Sequence, residues 1–233
     1  MMQQTGQATV GIVLAGGGST RLAAVAGTTG GGKALITFQG RTFLEHVVAA
    51  VGTAAERTIV VAAPGQTLPA IEGACIVHDS LPGAGPLAGI RDGLRAALAS
   101  HHDDRSAGAD ADGADAPPRF AFVASCDLPL LRPEMVRLLI DVAKESDALW
   151  TVPVVHGHRQ VLVSVIRIDV LPQIEDWLVA GRRDLRGLFA EIARHDPERV
   201  CEVTEEACKA VDPMLVSFND IDTPDDLRRL QSR

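Results

Sequence analysis

The chain contains no tyrosine, and its aromatic share is 3%, made up of six Phe and two Trp. That leaves little material for stacking bases along a single strand, so a module that reads RNA or DNA is not expected. Positive charge is also short: 22 Lys and Arg stand against 30 Asp and Glu, for a net charge of −8 and a pI near 5.3. This balance argues against a nucleic-acid-coating protein. The four cysteines, Cys75, Cys126, Cys201 and Cys208, include no C-x-x-C pair and no His at finger spacing, so neither a zinc site nor a disulfide framework is suggested. They read as reduced, mostly packed thiols. No run approaches the roughly 18 apolar residues of a spanning helix. The opening stretch, MMQQTGQATVGIVLAGGG, lacks the basic residues that begin a signal peptide. A cytoplasmic location without membrane association is therefore the expectation.

What is abundant is material for a core. Of the 233 residues, 46% are hydrophobic and the mean hydropathy is +0.14, enough to exclude wholesale disorder. Val- and Ile-rich runs alternate with helix-period segments, the pattern of an α/β fold with a largely parallel sheet covered by helices. Strands are expected at 9–15 (TVGIVLA), 58–63, 74–77, 120–125, 148–155, 161–168 and around 215–218. Helices are expected after Thr42, whose Glu45 completes a capping box, along the Leu87, Ile90, Leu94, Leu98 stripe, from Pro133, at 171–180 and 185–194, and after the Thr223 cap with Pro224 as first residue. Residues 101–118 (HHDDRSAGADADGADAPP) contain no Leu, Ile, Val or Phe but five Asp and five Ala, the composition of a flexible, acidic, solvated loop. A buried-looking strand of the same kind resumes at Phe120, so residues 1–233 are read as a single domain.

The first strand runs straight into Gly16, Gly17 and Gly18. Glycines let backbone N–H groups close on a polyphosphate. A dinucleotide fingerprint fails, because the third glycine of G-x-G-x-x-G falls on Arg21. Gly27-x4-Gly32-Lys33 matches the first part of a Walker A loop, but Ala34 replaces the Ser or Thr that would hold magnesium, and no strand immediately precedes it. Lys33 remains a lone cation before an apolar run, able to reach phosphates. A plain surface loop is the alternative for Gly30, Gly31 and Gly32.

In order along the chain, LAGGGSTR, Lys33-Ala34-Leu35, the 79–89 segment DSLPGAGPLAG, Asp127 in CDLP and the terminal FNDIDTPDDL resemble the molybdenum cofactor guanylyltransferases, the MobA-type nucleotidyltransferases, from Val10 to Leu230. The resemblance implies one α/β domain with a Rossmann-like nucleotide half and a mixed, mostly parallel central sheet, as in nucleotide-diphospho-sugar transferases. It also implies transfer of GMP from GTP to the molybdenum–molybdopterin cofactor, with release of pyrophosphate. Leu14, Ala15, Gly16, Gly17, Gly18, Lys33, Asp79, Gly85, Pro86 and Asp127 would then bind nucleotide. Arg21 and Lys33 would supply cations to the triphosphate and Asp127 would hold Mg²⁺, a hard ion suited to an oxygen ligand at a strand's carboxyl end. On the acceptor side lie 157–162 (GHRQVL) and 181–187 (GRRDLRG), whose Arg182, Arg183 and Arg186 are candidates for the acceptor phosphate. Transient contact with molybdenum-cofactor proteins is a further implication.

The chain departs from the family pattern in four places. The Arg21–Lys33 spacing is several residues longer than usual, Gly32 stands where an Asp is expected, and Val161 replaces a Pro. Asp220 and Asp222 replace the Asn pair of N-x-N-T-P, as in the related cytidylyltransferases. Alternatives are therefore CTP as donor, a different phosphate acceptor, or a nucleotide-binding module that does not catalyse transfer. The bland reading of Asp79 and Asp127 is a turn or cap ahead of Pro82 and Pro129.

Overall fold

In the computed structural model, which describes residues 8–16, 32–106 and 117–232, the first apolar run forms strand β1 (Thr9–Leu14), buried at all six positions. Two short strands, β2 (Thr37–Phe38) and β3 (Arg41–Thr42), form a separate antiparallel hairpin. The main sheet continues with β4 (Arg57–Ala62), β5 (Ala74–His78), β6 (Phe120–Ser125), β7 (Trp150–Val155), β8 (His158–Arg159), β9 (Val163–Arg167) and β10 (Val200–Val203). Its order is β10-β7-β9-β6-β1-β4-β5, with β8 paired to β7. β1 is parallel to β4 and β6, and β5 is parallel to β4. β9 runs antiparallel to both β6 and β7, which makes the sheet mixed, while β10 pairs parallel with β7. The continuous apolar runs of β1, β4 and β6 follow from this placement, since helices cover both faces of the central strands.

On one face lie α1 (Phe43–Val51), α3 (Pro133–Ser146) and α6 (Glu205–Val211), packed over Val13, Val60, Phe120 and Phe122. On the other lie α2 (Pro86–Ser106), α4 (Leu171–Val179) and α5 (Leu185–His195), packed over Ile12, Val61, Ala121 and Trp150. The terminal helix α7 (Pro224–Gln231) packs away from the main core, against the β2–β3 hairpin, through Leu227, Leu230, Ile36, Phe38, Phe43 and Ile221. Both expected capping boxes form, Thr42 with Glu45 and Thr223 with Asp226. Each satisfies donors at a helix start that would otherwise lack partners. No helix among the described residues is long and apolar enough to cross a membrane.

Three expectations need correction. α2 runs through Ser106, six residues into the segment read as loop, and residues 107–116 lie outside the described residues. Residues 216–218 form a 3₁₀ turn instead of a strand. Leu215 sits at φ 51°, the Ser217 amide donates to the buried Asp212 carboxylate at 2.8 Å, and the Ser217 hydroxyl accepts from the Arg132 amide at 3.1 Å. Those local bonds take the backbone groups a sheet would use. Finally, β2, β3, β8, β10 and α6 were not anticipated. Of the cysteines, Cys126 and Cys208 are buried, Cys201 is half-buried and Cys75 is exposed.

Candidate functional site

The chain leaves β1 toward β4 and β5 on one side of the sheet and later places β6 on the other, so a crevice opens at the carboxyl ends of β1 and β6. Such a reversal is where open α/β sheets bind ligands. Hydrogen bonds carry the ladders just past the strand ends: Cys126 N–H to Leu14 O at 3.0 Å, Ala15 N–H to Val61 O at 2.9 Å and Asp79 N–H to Ala62 O at 2.9 Å. Three loops, beginning at Ala15, Asp79 and Asp127, therefore leave from one rim.

Two of these loops and the end of β4 enclose a cavity of about 330 Å³ lined by Leu14, Gly16, Asp79, Gly85 and Pro86, with Val61, Ala63, Gly83 and Gly89 among its other walls. Five of the residues expected to bind nucleotide thus meet around one space. Gly16 has a steric reason to be glycine: a Cβ there would lie 2.9 Å from the Ala63 backbone nitrogen. Gly83 and Gly85 adopt φ of 71° and 76°, which let the 79–86 loop curl over the cavity. That loop is pinned from behind. Asp79 Oδ1 accepts the Leu81 amide at 2.8 Å, Asp92 Oδ2 accepts the Ser80 amide at 2.6 Å, and Arg91, 7% exposed, donates to Ser80 Oγ at 2.6 Å while pairing with Asp92. The turn-forming role of Asp79 and its place on the cavity wall coexist, because only one of its oxygens is used in the turn. Gly17, Gly18 and Arg21 lie outside the described residues.

Ala15 does not line the cavity but fixes its floor. Its carbonyl accepts from Gln66 Nε2 at 3.2 Å, and Gln66 Oε1 accepts the Ala63 amide at 2.8 Å, so one carboxamide bridges the ends of β1 and β4. No sequence pattern points to Gln66, since its partners are brought to it only by strand pairing.

Next to this cavity, sharing Pro86 with it, lies a second of about 470 Å³ lined by Asp127, Asp220 and Asp222 on one side and by Arg159, Arg183 and Arg186 on the other. Arg182 is not part of it: its guanidinium stacks 4.3 Å from the centre of the Trp177 ring. Arg159, within the GHRQVL segment, takes that place; it also donates to Glu202 at 2.6 Å and lies over the Phe189 ring. Arg183 donates to the Gly83 carbonyl at 3.3 Å and so ties the second cavity's rim to the loop over the first.

Lys33 stands at the acidic side. It sits in the 3₁₀ turn Gly32–Leu35, and its Nζ pairs with Asp127 Oδ2 at 3.3 Å and with Asp222 Oδ1. Burial alone would lower the Lys33 ammonium, but the Asp222 hydrogen bond and the Asp127 and Asp222 charges outweigh it and hold the group above the usual lysine value. Partial burial pushes the Asp220 carboxyl up, assisted by the Asp222 and Asp127 charges. Asp222 reaches this position because the Ile221 amide donates to the Asp127 carbonyl at 2.9 Å, while the Ile221 side chain is buried with α7 and the hairpin. The long Arg21–Lys33 spacing therefore does not carry Lys33 away from Asp127.

A cavity at the β1–β6 reversal, glycine-shaped on one side and flanked by a lysine–aspartate cluster and three arginines on the other, is an arrangement suited to a phosphorylated ligand in an α/β fold. The MobA-like NTP transferase domain matches residues 11–200. A probable molybdenum cofactor guanylyltransferase of Mycobacterium avium is 35% identical over 179 residues, 77% of this chain and 79% of that protein. Among solved structures, a molybdopterin-guanine dinucleotide biosynthesis protein A from Archaeoglobus fulgidus superposes with a TM-score of 0.68 at 21% identity, covering 96% of this chain and 97% of that one. A Mycobacterium tuberculosis H37Rv protein in complex with manganese superposes at a TM-score of 0.59 and 19% identity, covering 97% and 98%. The chain belongs to the MobA-like NTP transferase family and is a nucleotidyltransferase.

Proposed function

We propose that this nucleotidyltransferase moves GMP from GTP to a molybdopterin-type phosphate acceptor and releases pyrophosphate. The observation that carries this reading is the junction of the two cavities: they share Pro86, and Asp127 and Lys33 stand beside them. GTP would lie with its base and ribose in the first cavity, along Leu14, Gly16, Asp79 and Gly85. Arg159, Arg183 and Arg186 would receive the acceptor's phosphate in the second, since guanidinium groups match phosphate oxygens in pairs. An acceptor phosphate oxygen then attacks the α-phosphorus in line. The bond from the α-phosphorus to its bridging oxygen breaks, and the electron pair leaves with pyrophosphate. Positioning and charge neutralisation supply most of the rate in such a transfer.

A divalent ion fits the acidic side. Asp127 and Asp222 are hard oxygen donors that already share one cation, the Lys33 ammonium. No group of three or more His, Cys, Asp or Glu among the described residues converges as a complete cage. Mg²⁺ tolerates this, since it takes one or two carboxylates and completes its shell with phosphate oxygens and water. When bound, it would neutralise charge on the triphosphate. Arg21, Gly17 and Gly18 are assigned to the triphosphate by the family pattern. Cytoplasmic action, on soluble substrates and with transient hand-over to molybdenum-cofactor proteins, completes the reading.

Calorimetric titration with GTP, CTP and ATP in Mg²⁺, repeated on Asp127→Ala, tests it. GTP preference that falls at least tenfold with the aspartate is expected, together with loss of pyrophosphate release in the presence of the pterin acceptor. Preference for CTP, which the Asp220-Ile221-Asp222 segment favours, moves the donor to the cytidylyl branch. Normal turnover by Asp127→Ala refutes the mechanism, and nucleotide binding without product under saturating acceptor identifies a non-catalytic module.

A further inference from the structure

We propose that Lys33 is the resident counter-ion of the Asp127–Asp222 carboxylate pair, and that a divalent cation enters this pair only as Lys33 departs for the nucleotide phosphates, so that metal and nucleotide load together. The proposal rests on the nucleotidyltransferase reading above and adds the order in which the site fills.

The contacts join distant parts of the chain. Lys33 lies 94 residues from Asp127 and 189 from Asp222, so the fold itself brings the three groups together. Its side chain is only 10% exposed. Lys209, by contrast, pairs with Glu205 one turn away on its own helix, half exposed, an arrangement that any surface helix provides. Lys33 occupies Asp127 Oδ2 and Asp222 Oδ1, and a divalent ion drawn between the same two carboxylates would be repelled by the ammonium beside it. Metal arriving alone must therefore compete with a half-buried lysine that, among the described residues, hydrogen-bonds no other carboxylate. A triphosphate changes that balance by offering Lys33 four negative charges at the neighbouring cavity.

The backbone suits such an exchange. Gly32, immediately before Lys33, sits at φ 63°, a conformation that side-chain-bearing residues rarely adopt. The turn can therefore re-aim Lys33 at a position where the family's usual Asp would be strained. Asp222 is the other half of the device: an Asn there, as in the guanylyltransferase pattern, would hold the lysine less firmly. By linkage, whatever factor the nucleotide adds to metal affinity, the metal adds to nucleotide affinity.

Mn²⁺ binding followed by the electron paramagnetic resonance of the free ion, on wild type and Lys33→Met with and without GTP, tests the exchange. Wild type is expected to bind Mn²⁺ alone at least tenfold more weakly than Lys33→Met. GTP should raise Mn²⁺ affinity, beyond Mn²⁺–GTP association in solution, more in wild type than in the variant. Equal Mn²⁺ affinity for the two proteins without nucleotide overturns the proposal. A second measurement needs no variant: the chain has three lysines, Lys33, Lys144 and Lys209, so reductive ¹³C-methylation yields three lysine signals beside that of the α-amine. The Lys33 signal should stay in place with Mg²⁺ alone and move with Mg²⁺ and GTP. Movement with Mg²⁺ alone overturns the proposal. Absence of GTP binding in wild type instead overturns the substrate reading, and the metal-alone comparison still decides whether Lys33 holds the pair.

Discussion

Ile221 is the hinge between stability and chemistry in this molecule, and Ile221→Ala separates the two. The side chain is 4% exposed and packs with Ile36, Phe38, Phe43, Leu227 and Leu230, while its amide bonds the Asp127 carbonyl and the next residue is Asp222. Truncation removes three carbons. At about 0.8 kcal/mol per buried methylene the transfer loss is about 2.4 kcal/mol, within the 2–5 kcal/mol found for Ile-to-Ala changes in cores. The cluster lies outside the main sheet and α7 is terminal, so the helix can settle into the gap. A destabilisation of about 2–3 kcal/mol is therefore expected from urea unfolding, with an unchanged m value, and about 0.5–1.5 kcal/mol for Ile221→Val. The functional consequence is larger than the stability loss implies. Once the 219–223 segment loosens, Asp222 loses its fixed distance from Asp127 and Lys33, and a displacement near 1 Å in such a site costs up to about 100-fold. Turnover should fall at least tenfold in protein that remains folded below the unfolding transition, with half-saturating Mg²⁺ raised. A stability change under about 1 kcal/mol, or unaltered turnover and Mg²⁺ dependence in destabilised protein, would refute the reasoning.

The parts of this structure that were legible beforehand are those whose cause is local. TVGIVL is a strand because an apolar run headed by one threonine is buried on both faces, and Thr42 and Thr223 start helices because each caps the amide three residues on. Asp127 was found through its motif and lies where a residue just past a central strand must lie. The Lys33–Asp222 pair was not legible, because partners 189 positions apart in the chain carry no signal of their meeting. It depends on Ile221 choosing the hairpin cluster. Gln66 was missed for the same reason. Arg182 does not line the second cavity with Arg183 and Arg186, because adjacent arginines in a loop point apart and Trp177 supplies this one with an aromatic face. α6 had a local signal that went unread: Thr204 caps the Ala207 amide, and Glu205 and Glu206 stand in the first turn. The strand expected at 215–218 shows the opposite error. Leu215 is buried and Val216 and Phe218 are half-buried, but the Asp212 carboxylate and the left-handed Leu215 turn the chain instead of extending it.

Two further perturbations follow from the core. Burial pushes the Cys126 thiol up to about 12 and the Cys208 thiol up to about 11, whereas Cys75 is exposed. Since only thiolate reacts, native protein at pH 8 should give rapid disulfide exchange with a chromogenic reagent at Cys75 and none at Cys126 or Cys208 until it unfolds; fast labelling of Cys126 in folded protein contradicts its packing. Gly11→Ala probes the centre of the sheet, where Gly11 pairs with Thr58 on one side and Phe122 on the other. A Cβ at Gly11 would overlap Val51 Cγ1 and approach Thr58 Oγ1 to 3.2 Å. Val51 is wholly buried at the end of α1, and a β-branched side chain in a helix has little rotamer freedom to yield. Overpacking of this kind costs about 1–3 kcal/mol, offset by about 0.5–1 kcal/mol because alanine loses less chain entropy than glycine in a strand. A net loss of about 1–2 kcal/mol is expected. Val51→Ala alone leaves a cavity that the new methyl at position 11 partly fills, so the double variant should be more stable than the sum of the single losses by more than about 0.5 kcal/mol. Losses that add within that margin would mean that the strand and α1 do not meet at Gly11, and that the close approach there is not what makes glycine necessary.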